Sequence, residues 1–335
     1  MSLVPPGRLA GRYLKSLAAT RDRLSAAAFV DSLPWEEREV LKAAVGGVTT
    51  ATAPELVSSI GQDYMALVRP RTLIGRLQHI RRVPFRTRSI VQIAGATGFW
   101  VAETRNVPVQ MSTFSQLQSL PMRKVAAVSV VSEELARSSD GEAIVLRDLA
   151  AASVAMMDSS FVDPTSAAVS DERPAAITNG QPTVAASGTD AAAVRADIKA
   201  LIAIYTGDLG TGVFMMTPRV ALRIALLLPN DVNVRIDIEA GTGLLFGMPV
   251  LLSSAVPGTV IALVDGAAVQ LAGADSAELR VSREATILMS NTPDTGAPAR
   301  VSVFQTDSVA LMGLVSVNWQ LLRAGAAASL TGVAY

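Results

Sequence analysis

The sequence predicts an α+β fold, in which helices and strands build the core together. Three observations carry this prediction: a helical pattern at 142–161, alternating helix and strand signals at 190–290, and two period-two runs around a Gly-rich turn at 94–98. A repeat of apolar residues near 3.6 indicates a helix, and strict alternation indicates a half-buried strand. Both patterns recur along the 335 residues, so neither element is expected to form the fold alone.

The composition is unusually poor in charge. Apolar residues make up 50% of the chain and charged residues only 17%, against an average of about 25% charged. The apolar stretch at 240–264 is interrupted by Gly and Pro residues, which a membrane-spanning helix of about 20 residues would not tolerate well. We therefore expect no membrane association, and expect surface beyond the core to be buried against other copies of the chain.

The N-terminal third is predicted to be helical at first and then to continue as an arm. Residues 1–47 are predicted to be helical, with Ser32 as an N-cap, Pro34 in the first turn and Gly46 and Gly47 as the stop. The pattern weakens over 48–66, which favours an extended arm. A short helix is predicted at 70–80.

A two-stranded ribbon is predicted next. The runs FRTRSIVQI (85–93) and FWVAETRNVPV (99–109) alternate on either side of AGATG (94–98), which is typical of a hairpin. Pro108 and the lack of a third adjoining strand predict open edges. Free strand edges are an aggregation hazard unless something covers them, so the ribbon indicates a subunit that contacts its neighbours.

The remaining elements follow in order. A strand at 123–131 leads to a helix that starts at Ser132, and the long helix at 142–161 is followed by a loop at 163–188. Asp190 and Thr217 are predicted N-caps of helices at 191–205 and 217–227. Buried strands are expected at 248–254, 259–265 and 278–284, and two strands bent near 305–308 at 299–322.

Residues for common catalytic or metal chemistry are missing from the sequence. A single histidine, His79, and no cysteine exclude the usual zinc sites and the Ser-His-Asp and Cys-His arrangements. The stretch GDLGTG (207–212) matches neither phosphate-loop pattern and is predicted to be a turn. We expect no catalytic residue, no metal site and no cofactor, and therefore not an enzyme.

An arginine cluster precedes and enters the ribbon. Seven arginines and no acid lie between Tyr64 and Ala102. Three interpretations stay open: a solvated basic face, phosphate contacts with nucleic acid, and pairing with acids of another subunit. Between Arg69 and Arg88, Phe85 is the only Phe, Trp or Tyr, which disfavours base stacking. Pairing between subunits is the interpretation we favour.

These features together resemble the tailed-phage major capsid proteins of the Hong Kong 97-type fold. The resemblance covers the chain from about residue 48 to the C-terminus and depends on an ordered set of motifs. They are W-V-A-E (100–103) followed by Pro108 and Phe114, the strand RKVAAVSVVSEEL (123–135) before the long helix, TPRVALRIALL (217–227), and LLFGMPVLLSSAVP (244–257) followed by VIALVD (260–265).

The resemblance implies a domain plan with five parts. They are an N-terminal helical segment at 1–47, an N-terminal arm at 48–79, a projecting extended loop at 80–118, a peripheral domain with a long spine helix at 119–185 and 299–322, and an axial α/β domain at 186–298 and 323–335.

The same resemblance implies a function. Copies would assemble in the host cytoplasm into hexamers and pentamers of an icosahedral virion shell around double-stranded DNA, contacted non-specifically, with portal, scaffolding or cementing proteins as further partners. An encapsulin-like bacterial nanocompartment shell is the nearest alternative. A soluble α/β enzyme is a third interpretation, without a supporting set of residues.

Ten residues are predicted to lie at contacts between subunits. Phe99 and Trp100 would be apolar anchors, and Glu103 would pair with an arginine of its own or a neighbouring chain. The full set is Arg69, Arg71, Arg81, Arg82, Arg86, Arg88, Phe99, Trp100, Glu103 and Arg105.

Two departures from the family pattern matter. Some members join subunits covalently through a lysine of the projecting loop, but no lysine lies between Lys42 and Lys124, so non-covalent overlap or a cementing protein must supply the strength. Some members also lose a longer N-terminal scaffolding segment by proteolysis. Only about 47 residues precede the arm here, and we expect no such cleavage.

Overall fold

The fold was analysed in a computed structural model. It describes residues 7–19, 30, 33, 54–94, 100, 113–117, 119–137, 141–229, 233–288 and 300–335. Its helices are α1 (Arg8–Ala19), α2 (Pro54–Val68), α3 (Leu73–Arg76), α4 (Glu133–Arg137), α5 (Gly141–Val162), α6 (Ala191–Ile204) and α7 (Pro218–Leu227), with short 3-10 turns at Arg69–Arg71 and Gly266–Ala268.

Strands make up most of the remaining regular structure. In chain order they are β1 (Arg81–Val83), β2 (Ser89–Ala94), β3 (Thr113–Leu117), β4 (Lys124–Ser132), β5 (Thr183–Ala185), β6 (Gly212–Met216), β7 (Val234–Asp237), β8 (Thr242–Leu245), β9 (Met248–Leu252), β10 (Val260–Asp265), β11 (Val269–Gly273), β12 (Glu278–Ser282), β13 (Thr286–Leu288), β14 (Arg300–Ser302), β15 (Ser308–Leu321) and β16 (Ala327–Thr331).

The chain divides into two compact units. The first comprises residues 1–76, 124–158 and 274–316, and the second comprises residues 77–123, 159–273 and 317–335. Strand β15 therefore contributes its N-terminal part to the first unit and its C-terminal part to the second.

The first unit combines helices with a three-stranded antiparallel arrangement. Strand β15 pairs with β4 on one side and with β12 on the other, and Met312 lies opposite both Val128 and Arg280. Tyr64 of α2, Leu73 of α3 and Leu149 of α5 are almost completely buried in this unit. Strands β13 and β14 form a separate pair.

The second unit is built on a seven-stranded sheet in the order β5, β16, β10, β6, β9, β8, β7. The central strands β6 and β10 are buried at every position, as expected for strands covered on both faces. Helices α6 and α7 contribute Val194, Leu201 and Ile224 to its core cluster. Strands β1 and β11 and the end of β15 form a second sheet in this unit.

The helices and strands predicted after residue 120 are present, but strand β12, expected to be buried, is exposed or half-buried along its length. The sequence did not predict β6, β7, β8, β11, β13 or β16. Helix α5 spans 141–162, and β4 is followed directly by α4 with Glu133 and Glu134 in its first turn. Asp190 accepts a hydrogen bond from Ala193 N at 2.9 Å, and Thr217 Oγ1 accepts one from Val220 N at 3.3 Å. Both predicted N-caps are thus correct. The sequence 207–212 forms a turn up to the start of β6.

The extended arm predicted at 48–66 is wrong for residues 54–66. These residues lie in α2, whose buried residues Ile60, Tyr64 and Val68 recur every four positions. Glycine lowers helix propensity, but Gly61 is required by packing. A Cβ there would collide with the carbonyl oxygen of Ala277, and Ala277 N donates a hydrogen bond of 3.2 Å to Gly61 O.

The predicted ribbon is correct in kind but not in register. Strand β2 begins at Ser89 rather than at 85, because Arg86 has a positive φ of 60° that turns the chain. Among the described residues its partner is β3 at 113–117, with Ser89 opposite Leu117, and the predicted partner run at 99–109 lies outside those residues except for Trp100. Residues 95–99 and 101–112 lie outside the described part of the chain.

Smaller differences occur in two other segments. The loop predicted at 163–188 contains the short strand β5, which pairs with β16. The helix predicted at 70–80 is a 3-10 turn followed by the four-residue helix α3. Pairing with β16 outweighs the loop-like sequence of β5. After α3 the chain turns at His79, whose φ is 62°, and enters β1.

Candidate inter-subunit contact surface

The β2–β3 ribbon, which consists of Ser89–Ala94 and Thr113–Leu117, has a closed base. Arg86 N donates a hydrogen bond of 2.8 Å to the carbonyl oxygen of the buried Leu120, so the chain between them forms a loop that starts and ends at one point. Within the described residues, β2 and β3 pair only with each other. The ribbon therefore has two strand edges without a partner in that part of the chain.

Three polar side chains tie the ribbon to the rest of the second unit, and of these Ser89 and Gln270 are buried and Gln320 is half-buried. Gln270 Nε2 donates to Ser89 Oγ at 2.5 Å, and Gln320 Nε2 donates to Gln270 Oε1 at 3.0 Å. Ser89 is 4% exposed and Gln270 is fully buried. Leaving either group unpaired in this environment would cost free energy, so these contacts fix the direction in which β2 leaves the unit.

The return segment after the ribbon is held in a similar way. Asn318 Nδ2 donates to Pro121 O at 2.6 Å, and Val317 N donates to Arg123 O at 2.9 Å. The Arg123 guanidinium also donates to Asp171 at 3.1 Å. Both ends of the ribbon thus depend on residues near the C-terminal half of β15.

The ribbon region exposes large apolar side chains. Ile90 is 61% exposed on β2, whereas its neighbours Ser89 and Val91 are buried. Trp100 is fully exposed. Burying a tryptophan against a partner surface removes a large apolar area from water and is favourable. An isolated copy does not gain this free energy, because its Trp100 stays exposed.

The predicted arginines lie in three different settings. Arg69 in the first unit donates to Asp275 Oδ1 at 3.0 Å and to Ala274 O at 3.4 Å, so it has a partner within its own chain. Arg81 and Arg82 are exposed on β1, beside Gln270 and Leu271 of β11. The other exposed arginines of the set are Arg71, Arg86 and Arg88.

Charge is not balanced locally around these side chains. Among the residues that the structure describes, no ion pair involves Arg71, Arg81, Arg82, Arg86 or Arg88. Four of these five belong to the second unit. Unpaired guanidinium groups are suited to a carboxylate or phosphate of another molecule. Phe99, Glu103 and Arg105 lie outside the described residues, and their contacts stay predictions.

The first unit anchors the segment that leads toward the arginines. Asp158 of α5 is fully buried and accepts a hydrogen bond from Leu73 N at 2.8 Å. Burial lowers the pKa of Arg76, and the negative charge of Asp158 opposes that shift. Tyr64 and Ser153 share a hydrogen bond of 3.2 Å, and burial raises the pKa of Tyr64.

Sequence reasoning missed the clamp formed by the buried Ser89 and Gln270 and the half-buried Gln320. The signal that could have found it is Gln270, a single amide in the otherwise apolar strand VQLAG, because buried polar groups are nearly always paired. Its partner could not be named, since 181 positions separate the two residues.

The described residues contain no group of three or more His, Cys, Asp or Glu side chains arranged to hold a metal ion. Within the same residues, no helix has the length and apolar character needed to cross a bilayer.

Comparisons with known proteins relate this chain to phage capsid proteins. A family model described as the Phage capsid family matches residues 54–332. The capsid polyprotein of Pseudomonas phage PAJU2 is 36% identical over 323 residues, which cover 89% of this chain and 48% of that protein. This chain therefore spans about half the length of the curated relative that it matches.

Solved structures share the fold at low sequence identity. A chain of Gordonia phage Cozz matches with a TM-score of 0.54 and 14% identity, over 79% of this chain and 87% of that one. A chain of Mycobacterium phage Adephagia matches with a TM-score of 0.51 and 14% identity, over 79% and 91%. A capsid chain of a native GTA particle matches with a TM-score of 0.50 and 17% identity, over 77% and 89%.

Proposed function

The chain belongs to the phage capsid family, and from that membership we propose that its copies assemble into hexamers and pentamers of an icosahedral shell that encloses double-stranded DNA. It is a structural protein of the virion capsid rather than an enzyme. Its mixed helix and strand fold is similar to those of phage capsid chains.

The single observation that supports this proposal is a ribbon whose base is held by hydrogen bonds while its strand edges and large apolar side chains have no partner among the described residues. Buried contacts of Ser89, Gln270 and Asn318 hold both ends of the segment, while Ile90 and Trp100 are exposed. A fixed base makes the loss of conformational freedom on binding small. The binding free energy of such a ribbon is most favourable when a neighbouring copy covers both its apolar side chains and its strand edges.

Within this proposal the parts of the chain take the roles implied by the Hong Kong 97-type fold. Residues 48–79 would form the arm, which contains helix α2 instead of being extended over 54–66, and 80–118 would form the projecting loop. Residues 119–185 and 299–322 form the peripheral domain, and 186–298 and 323–335 the axial domain. The exposed arginines near the ribbon would meet acids of adjacent subunits, and some would contact packaged DNA through its phosphates. Portal, scaffolding or cementing proteins would be further partners.

Negative-stain microscopy of the purified chain tests the proposal. We expect closed, uniform shells, and a species that stays a single copy on a sizing column at every concentration would contradict it. Nuclease-resistant double-stranded DNA in particles from infected cells supports the phage role. Protein cargo without nucleic acid would instead favour an encapsulin-like compartment.

The contacts between subunits are expected to be non-covalent. No lysine lies between Lys42 and Lys124, so the projecting loop cannot supply an amine for an amide bond. Boiled particles should run as one monomer band in SDS, and a ladder of multiples would refute this part of the proposal.

A further inference from the structure

Helix α7 exposes a mixed apolar and basic face. Val220, Ala221 and Ile224 are buried against the core of the second unit. The opposite side carries Leu222, which is 44% exposed, and Leu226, which is 69% exposed. Residues three and four positions apart share one side of a helix, so the four residues of this outer face are Arg219, Leu222, Arg223 and Leu226.

The hairpin of β7 and β8 exposes a mixed apolar and acidic tip in the same unit. Its turn carries Ile238, 50% exposed, between the exposed acids Asp237 and Glu239. The tip is well ordered by hydrogen bonds: Ala240 N donates to Asp237 Oδ1 at 2.9 Å, and Gly241 N donates to Ile238 O at 3.2 Å. Strand β7 is the end strand of the seven-stranded sheet.

These two surfaces are complementary. On α7, an exposed leucine lies between two arginines, and on the hairpin an exposed isoleucine lies between two acids. Within the part of the chain that the structure describes, Arg219, Arg223 and Glu239 have no ion pair. Opposite charges around an apolar centre favour correct docking and disfavour contacts between two like surfaces.

We propose that the outer face of α7 in one copy binds the Asp237–Glu239 tip of a second copy. The two surfaces differ, so the contact is head-to-tail, and repetition of a head-to-tail contact produces a closed ring when the rotation between copies allows it. The inference rests on the proposed capsid function and adds the pair of surfaces through which neighbouring copies meet in the second unit. Leu222 and Ile238 form its apolar centre, and Arg219 and Arg223 meet Asp237 and Glu239.

Engineered cysteines test the contact directly, because the native chain has none. Leu222→Cys and Ile238→Cys are prepared as separate proteins, mixed under assembly conditions and oxidised with diamide. A disulfide needs Cα atoms within about 7 Å. We expect a covalent dimer from the mixture, and much less of it from either protein alone. Because each protein carries a single cysteine, a disulfide cannot form within one chain.

A mixture of Leu222→Cys with Ala168→Cys is the matched control, since Ala168 is also exposed in the second unit. This control should give no dimer above background. Equal yields from the two mixtures would show random collision and would overturn the proposal.

Charge reversal provides an independent measurement. Arg219→Glu with Arg223→Glu, or Asp237→Arg with Glu239→Arg, should each raise the protein concentration needed for assembly by at least about tenfold. The variant that carries all four changes should return to within about threefold of the wild type. Arg147→Glu, an exposed reversal in the first unit, should not be rescued by the two hairpin changes. Thermal unfolding of each variant separates loss of contact from loss of fold.

The outcomes separate this inference from the proposed function. Normal shells in which Leu222→Cys and Ile238→Cys form no disulfide, together with insensitivity to either charge reversal, would overturn the inference and leave the capsid function intact. Failure of the wild-type chain to form any shell would instead count against the proposed function.

Discussion

The side-chain amide of Gln270 donates a hydrogen bond of 2.5 Å to the hydroxyl of Ser89, although 181 positions separate the two residues. Both residues are buried, and the bond joins the start of β2 to the neighbour of the edge strand β1. The direction of the ribbon is therefore set by a contact between distant parts of the chain.

The first prediction concerns that bond. Gln270→Ala should lower the free energy of unfolding by about 1–3 kcal/mol, because it removes the buried amide that donates to the Ser89 hydroxyl and accepts from the Gln320 amide. Cleavage by a protease within 86–120 should become faster as the base loosens. Denaturant unfolding and limited proteolysis measure the two effects. Gln78→Ala, at an exposed glutamine, is the control, and equal effects from both variants would contradict the clamp.

Trp100 is predicted to contribute to assembly and not to folding. Trp100→Ala should raise the concentration required for assembly by roughly 30-fold or more, as for an interface residue worth about 2 kcal/mol. The melting temperature of the unassembled chain should stay unchanged, because the side chain is fully exposed. Light scattering and thermal unfolding provide the measurements. Phe304→Ala, at a 77% exposed aromatic residue of the first unit, serves for comparison, and an equal effect there would remove the special role of Trp100.

Asp265 is predicted to be a strong stabilising residue of the second unit. Its buried carboxylate accepts hydrogen bonds from Arg323 at 2.7 Å, Thr211 Oγ1 at 2.5 Å, Ala267 N at 3.0 Å and Asp208 N at 3.3 Å. Asp265→Ala should cost about 3–5 kcal/mol of unfolding free energy, since all four donors lose their acceptor.

The exposed ion pair of Arg69 and Asp275 offers a matched comparison for Asp265. Asp275 is 88% exposed, so Asp275→Ala should cost at most about 1 kcal/mol. Denaturant unfolding of both variants measures the difference. Similar losses would show that burial does not set the contribution of these carboxylates.

Alkaline pH should destabilise the fold partly through Tyr205. Burial raises the pKa of Tyr205, and the nearby carboxylates of Asp265 and Asp208 raise it further, while Arg323 opposes them. Above about pH 10 the unfolded chain releases this proton and the folded chain retains it, so the free energy of unfolding falls as pH rises. One such group contributes a slope of at most about 1.4 kcal/mol per pH unit.

Tyr205→Phe isolates that contribution. Removing the hydroxyl also removes its 3.2 Å hydrogen bond to Asp208 O, which should cost about 1 kcal/mol at neutral pH. Unfolding between about pH 9 and 12, a range that spans the ordinary pKa of a phenol, should show a shallower loss of stability than in the wild type. If the wild type and Tyr205→Phe gave parallel curves of stability against pH over that range, the phenol of Tyr205 would have the same pKa in the folded and unfolded states, which would contradict the prediction.

Local signals in the sequence predicted much of the fold. Asp190 and Thr217 were identified as helix caps because a cap depends on residues within one turn, and the structure confirms both. The register of the ribbon could not be predicted, because the positive φ of Arg86 and the pairing of Ser89 with Leu117 depend on tertiary contacts. The helix α2 was not predicted for a related reason: glycine disfavours a helix locally, whereas the small size of Gly61 allows the approach of Ala277.

The candidate contact surface was predictable only in part. An excess of arginine over acid is visible in the sequence, but the partner of Arg69 within its own chain depends on the fold. The outer face of α7 could not be recognised as a contact surface from the sequence, because TPRVALRIALL has the pattern of an ordinary amphipathic helix. The exposure of Leu226 identifies it as a surface available to another copy.

The contrast between two tryptophans has a practical consequence. Trp319 is buried, donates its indole N–H to Ala175 O at 2.9 Å and meets Phe161 edge to face at 5.4 Å, whereas Trp100 faces water. Covering Trp100 by a neighbouring copy would shift its fluorescence emission to shorter wavelength, while Trp319 would stay constant. The chain also contains Trp35, which Trp100→Phe retains. The difference in emission between the wild type and Trp100→Phe, compared at concentrations at which both assemble, would then follow the covering of Trp100 in real time, without any attached dye.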